Sequence, residues 1–125
     1  MREIKFRGKR IDNGEWVYGC LAYRGTKAFP KASILSSASP GITLCVYEVN
    51  PDTVGQSTGL KDGNHQEIYE ADIIDIWEAG LYEVEFSNGC FGARDHEGFS
   101  PLLQSIWGLG GVVVGNRHDN PNLIR

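Results

Sequence analysis

The β-branched and aromatic residues of this chain come in short runs, each cut off by a turn signal, and that punctuation limits what it can fold into. In the opening segment Ile4, Phe6 and Gly8 alternate with Lys5, Arg7 and Lys9, the period of a strand with one solvated face. Asp12, Asn13 and Gly14 supply turn chemistry with positive φ, and Trp16-Val17-Tyr18 restarts the extended run, so an N-terminal hairpin is expected. From Arg24 to Gly41 the chain carries Gly25, Pro30, four Ser and Pro40, which predicts mostly loop with at most a short element around Ser33 to Leu35. Ile42 to Val49 is long enough for a strand, too short for an amphipathic helix, and ended by Pro51.

A turn-rich link is expected through Gly55, Gly59, Asp62 and Gly63, then one long extended segment from Glu67 to Trp77. Gly80 breaks that segment, Leu81 to Phe86 reads as its partner strand, and Asn88-Gly89 is a tight-turn signal into Cys90 to Arg94, which together make a meander. Ser100-Pro101 has the form of an N-cap and first helical position, predicting one short helix through Leu102, Leu103 and Ile106. Gly108, Gly110 and Gly111 stop it, Val112 to Val114 is a last strand, and Asn120-Pro121 opens a terminal turn. The predicted fold class is mainly β: a small barrel-like structure or highly curved antiparallel sheets, with one short helix. Ile68 to Arg94 has the strand spacing of an SH3-like barrel, by analogy only.

At 125 residues, with 41% hydrophobic and 22% charged residues, the chain has the composition of one globular domain able to bury about two thirds of its unfolded surface. A subdivision into 1–55 and a barrel-like 56–125 is the alternative organisation. No apolar run approaches the roughly 18 residues that cross a bilayer, and the first five residues lack the apolar core of a signal peptide, so a cytoplasmic location without membrane contact is expected. Cys20, Cys45 and Cys90 are odd in number, widely spaced and lack a Cys-x-x-Cys pair; they are expected to be buried, reduced thiols.

The formal net charge of −4 argues against bulk attraction to nucleic acid, yet the charges are unevenly spread. Arg2 to Arg10 holds five cations against Glu3, whereas Asp62 to Glu85 holds eight acids and no Lys or Arg.

The run Val49-Asn50-Pro51-Asp52-Thr53-Val54-Gly55-Gln56-Ser57-Thr58-Gly59-Leu60-Lys61-Asp62, continued by Glu67-Ile68-Tyr69-Glu70-Ala71-Asp72-Ile73-Ile74, closely resembles the signature of YopX-family proteins. Arg2-Glu3-Ile4-Lys5-Phe6-Arg7 resembles the family's first strand, and Val113-Val114-Gly115-Asn116 with Asp119-Asn120-Pro121 its tail, so the resemblance spans nearly the whole chain as one YopX-like domain. The chain departs from the pattern at Asn64-His65-Gln66, where the family has an Asn-Gly turn pair and a Lys, and at Ala71, where it has Gly. The resemblance implies origin in phage or prophage genomes and a cytoplasmic β-rich fold. It implies no catalytic residue.

Glu67, Glu70, Asp72 and Asp75 invite a metal or paired-carboxylate reading, because hard cations need converging oxygens. On one continuous strand, however, Glu70 and Asp72 would share a face that Glu67 and Asp75 do not, so a solvated acidic face or turn satisfaction is preferred, with Asp72 accepting backbone N–H bonds after a tight turn. His65, His96 and His118 each have an acid nearby but none has metal-motif spacing, and the glycines do not form a phosphate-binding pattern. No cofactor, metal or catalytic residue is therefore expected. Lys5, Arg7 and Lys9 on one strand face, with Arg2 and Arg10 nearby and Trp16, Tyr18 and Tyr23 for stacking, form the best candidate contact for nucleic acid or a partner. The competing reading, preferred given the acidic total, is that these cations guard an edge strand.

The expected function is that of a non-enzymatic phage or prophage accessory protein working through protein contacts, as a homo-oligomer or with a host or phage protein. The alternative is a nucleic-acid-binding module using Arg2, Lys5, Arg7, Lys9 and Trp16. Thirteen aromatic residues, and the opposition of a basic hairpin to an acidic middle segment, favour self-association.

Overall fold

Turn punctuation produces ten strands in the computed structural model, which describes residues 4–26, 28, 30–37, 44–76, 80–87, 89–95 and 111–123. The strands are β1 (Phe6–Lys9), β2 (Trp16–Gly25), β3 (Pro30–Ser37), β4 (Leu44–Val49), β5 (Gly55–Lys61), β6 (Glu67–Tyr69), β7 (Asp72–Ile76), β8 (Gly80–Ser87), β9 (Cys90–Arg94) and β10 (Val112–Asn116). The class is mainly β with two antiparallel sheets. The helix expected from Ser100 lies outside the described residues; a 3-10 turn occupies Pro51–Thr53. Among the described residues no helix is long and apolar enough to cross a membrane.

The chain separates into two compact units, Met1–Ser57 and Thr58–Arg125. In the first, the predicted hairpin forms with Phe6 opposite Gly19 and Lys9 opposite Trp16. Within the segment expected to be mostly loop, Pro30–Ser37 is strand β3, paired with β2 from Pro30 to Leu35 and with β4 from Ala32 to Ser37. Pro30 is tolerated because it is the first residue of that strand, and Ala32 and Ile34 alternate into the core. Ala32, Ile34 and Val49 are fully buried, with Phe6, Val17, Leu21 and Val54 packed against them. Ile34 and Val49 each contribute about 1.5–3 kcal/mol relative to exposure.

Curvature in this sheet is visible where β4 returns to the end of β1. Arg10 bridges Val49, with Ile11 N–H donating to Glu48 O at 3.1 Å and Asn50 N–H to Lys9 O at 2.9 Å. The approach is close enough that a Cβ on Gly8 would lie 2.8 Å from Val49 Cγ2, so glycine is required there. Pairing stops after that one bridge, and among the described residues neither sheet closes into the expected barrel.

The expected turn-rich link at Gly55 is strand β5. Gly55 and Gln56 pair with Arg7 and Phe6, and its later residues lie beside β6 in the second unit. The second unit also holds the meander β7-β8-β9, extended by β10 on β7. Ile68, Ile74, Ile76, Tyr82, Val84 and Ala93 form its core, and Leu60, Phe91 and Val113 pack against them. Glu67 to Ile76 is two strands of different sheets, because Glu70 and Ala71 make a turn; this also breaks the SH3-like continuity expected from Ile68 to Arg94.

That turn places Ala71 at φ 73°, and the turn after Asp62 places His65 at φ 63°. These are the positive-φ non-glycine residues of the described chain, and both stand where the resemblance departs from the family's glycines. Glycine adopts this region without steric cost, whereas an L side chain there is strained by about 1–2 kcal/mol.

Candidate functional site

The basic stripe singled out from the sequence rests on β1. Its register with β2 puts Arg7 opposite Tyr18 and Lys9 opposite Trp16, so these four side chains share one face. Lys5 belongs to the same face by alternation. The Arg7 guanidinium lies 4.5 Å from the Trp16 ring centroid and the Lys9 ammonium 5.7 Å, two cation–π contacts on a single indole. Tyr18 is exposed.

Three parts of the expected site are corrected. Arg7 is not on a solvated stripe: it is only 5% exposed, because stacking on Trp16 and strands on both sides enclose it. Nor are the cations guards of an edge, since β1 is hydrogen-bonded to β2 on one side and β5 on the other. Tyr23 pairs with Ala32, on the opposite face from Trp16. Arg2 lies outside the described residues.

Arg10 also leaves the stripe. Its guanidinium lies 4.7 Å from the Tyr47 ring centroid and donates to both carboxylate oxygens of Asp12, at 2.9 and 2.6 Å. The paired hydrogen bonds raise the Arg10 pKa and hold the Asp12 carboxyl below its ordinary value, each against a smaller opposing effect of desolvation. Tyr47 is held above the usual tyrosine range chiefly by its hydrogen bond with the Cys45 thiol. None of the three cysteines is in a disulfide, but the expectation that all are buried fails: Cys20 and Cys90 are exposed, and Cys45, although on the same face of β4 as the core residue Val49, is half-buried.

The acidic segment resolves into separate tasks. Asp72 is buried at 1% exposure and its Oδ2 accepts the Tyr69 N–H at 2.8 Å, the turn satisfaction expected of it. Glu67 Oε2 accepts from the Tyr69 hydroxyl at 2.8 Å, and Asp75 is exposed on β7. Among the described residues no three His, Cys, Asp or Glu groups are arranged to hold a metal ion. His65 occupies the strained turn and donates its N–H to Asp62 O, His118 donates its N–H to Asn116 Oδ1, and His96 lies outside the described residues.

Sequence reading placed Asp62 in a turn without its reach to Val113, and missed Glu83. Asp62 Oδ1 accepts the N–H groups of Asn64 and Gln66 at 2.8 and 2.9 Å, and Oδ2 accepts that of Val113 at 2.9 Å. Desolvation raises its pKa, but these bonds together with the charge of His65 outweigh it and leave the carboxyl below the ordinary range. An Asp followed by Gly63-Asn64 is a turn signal that could have revealed the local pair of bonds. Glu83, 3% exposed on β8, meets Arg117 at 3.1 Å and Arg94 at 3.7 Å, neither near it in sequence.

The segments that carry the family resemblance close backbone in the same way. Asn50 Oδ1 accepts the Asp52 N–H at 3.0 Å; Thr53 Oγ1 donates to Asn50 O and accepts the Lys9 N–H. In the tail, Asn116 Oδ1 accepts from the N–H groups of His118 and Asp119, while Asn120 Oδ1 accepts that of Asn116. The signature polar residues thus fix turns.

No curated protein matches the chain. Among solved structures, the crystal structure of protein EF1440 from Enterococcus faecalis is similar over 100% of both chains, with a TM-score of 0.59 at 24% identity, a likeness of fold alone. The family model described as YopX protein matches residues 5–125, and the chain belongs to the YopX family.

Proposed function

We propose that this chain is a non-catalytic phage or prophage accessory protein that works through protein contacts in the bacterial cytoplasm, as a homo-oligomer and with a host or phage partner. The observation behind this reading is where the signature polar side chains go. Asn50, Thr53, Asp62, Asp72, Asn116 and Asn120 bind backbone, which builds a surface without committing these groups to substrate chemistry. On the first unit that surface includes exposed Tyr18, Cys20 and Val46 on one sheet face. Apolar side chains left in water favour a covering partner.

Light scattering on the eluting protein tests the reading. A mass that is a multiple of the 13.8 kDa chain supports it, and a mass that stays at one chain over a hundredfold range of concentration overturns self-association.

Nucleic-acid binding at the β1 face is the second reading, favoured by Lys5, Arg7, Lys9, Trp16 and Tyr18 sharing that face. A salt-dependent mobility shift with single-stranded or duplex DNA supports it; no shift at low salt removes it.

A further inference from the structure

The two compact units carry opposite charge. Met1–Ser57 has eight Lys or Arg against five Asp or Glu, a net of +3, and Thr58–Arg125 has four against eleven, a net of −7. The positive charge of the first unit is gathered on one sheet face. Strand registers put Lys9 there with Trp16, and Arg24 and Lys31 opposite one another further along β2 and β3 on the same face, where exposed Glu48 is the one acid among the described strand residues and Tyr18 and Val46 are exposed. In the second unit Asp75 is exposed on β7, on the side opposite the core residues Ile74 and Ile76, and Glu70 lies in the turn before it.

Resting on the self-association proposed above, we infer that its contact is head-to-tail: the basic, aromatic face of one copy's first unit docks on the acidic second unit of the next copy. A contact that apposed the same unit of two copies would bring like surfaces together, +3 against +3 or −7 against −7, and pay repulsion at close range. A head-to-tail contact turns the same charges into attraction, covers the exposed Tyr18 and Val46, and leaves one unsatisfied surface of each kind for the next copy. Such a contact closes into a ring or grows into a filament according to its rotation.

Charge reversal on each surface separately tests this. One variant carries Lys5→Glu and Lys9→Glu; the other carries Glu70→Lys and Asp75→Lys. Mass is read by light scattering in about 50 mM and about 1 M NaCl, between which the screening length falls to about 3 Å. The expected result is a wild-type mass at least twice the 13.8 kDa chain mass in low salt that falls toward one chain in high salt. Each variant alone stays at one chain, and an equimolar mixture of the two gives a dimer, because each supplies the surface the other has lost. That dimer also demonstrates that both variants are folded. Should a double variant fail to fold, Asp75→Lys alone, at an exposed position, keeps the test, with a loss of association expected.

Variants as oligomeric as the wild type, with no salt dependence, overturn the head-to-tail contact and leave self-association standing. A wild-type protein of one-chain mass at both salts overturns both. A wild-type protein that is monomeric but retards duplex DNA, while Lys5→Glu/Lys9→Glu does not, assigns the basic face to nucleic acid and overturns the inference.

Discussion

Asp62 and Val113 are joined across 51 residues of sequence: the carboxylate Oδ2 accepts the Val113 N–H at 2.9 Å while Oδ1 holds the two N–H groups of its own turn. One side chain thus shapes the turn after β5 and fastens β10 to it. Asparagine can present only one acceptor oxygen, and its NH2 would face an N–H that needs an acceptor. Asp62→Asn should therefore cost about 2–4 kcal/mol, the range for buried charge-assisted hydrogen bonds lost with a donor left unsatisfied. The folded pKa is depressed, so the unfolded chain binds the proton more readily and this contribution is present above the unfolded value near pH 4. It is lost as pH falls through the folded pKa. Urea unfolding from pH 6 down to pH 2 should show wild type and Asp62→Asn converging at the acid end; an unchanged gap would mean the carboxylate charge does not matter.

Ala71 and His65 are held at φ 73° and 63°. Replacing either with glycine removes steric strain of about 1–2 kcal/mol but adds about 0.4–1 kcal/mol of unfolded-state entropy. His65→Gly and Ala71→Gly should each raise stability by up to about 1 kcal/mol, with the smaller gain at Ala71 because its methyl group is buried. His65→Gly also removes a charge that helps hold Asp62 ionised, so its benefit should shrink in acid. Thermal melts at pH 7.5 check both; a lower melting temperature for either would show that the turn is not strained by its side chain.

Gly8 faces Val49 with no room for a methyl group. Both are inside the N-terminal sheet, so neither strand can move away without breaking the Arg10–Val49 bridge. Gly8→Ala should destabilise by about 1–3 kcal/mol, and Val49→Ala in the same chain should recover part of that loss by clearing the space. Strict additivity of the two losses in denaturant melts would refute the steric coupling.

Much of this fold could be read from local pattern, and the parts that could not share a physical cause. The first hairpin, the strand ending at Val49 and the meander into Arg94 were legible because alternation and turn residues coincide in them. Gly55 to Lys61, with its glycines and polar residues, has weak strand preference of its own and is extended because β1 and β6 supply pairing partners. Pro30 to Ser37 is likewise made a strand by neighbours on both sides. Burial of Arg7 was illegible for the same reason: the sequence shows an alternating cation but not that β1 is an interior strand. At the candidate site, the sharing of one face by Arg7, Lys9, Trp16 and Tyr18 followed from alternation and a hairpin, whereas the loss of Arg10 to Tyr47 and Asp12 depended on the return of β4.

Glu83 is a buried carboxylate of the second unit held by two cations, Arg117 at 3.1 Å and Arg94 at 3.7 Å, both arginines half exposed. Arg94 also meets Glu85 at 3.7 Å, so its charge is shared, while Arg117 makes the shorter contact. Removing one arginine leaves the other to compensate. Arg117→Ala should therefore cost about 1–2 kcal/mol and Arg94→Ala less, the exposed ends of both contacts being screened by water. Removing both leaves a buried carboxylate without a cation, for which the loss is about 3–5 kcal/mol, more than the two single losses together. Adding Glu83→Gln to the double variant removes the stranded charge and should recover at least half of the loss. Equal stability of the double and triple variants in guanidinium melts would show that Glu83 does not need its arginines to remain buried.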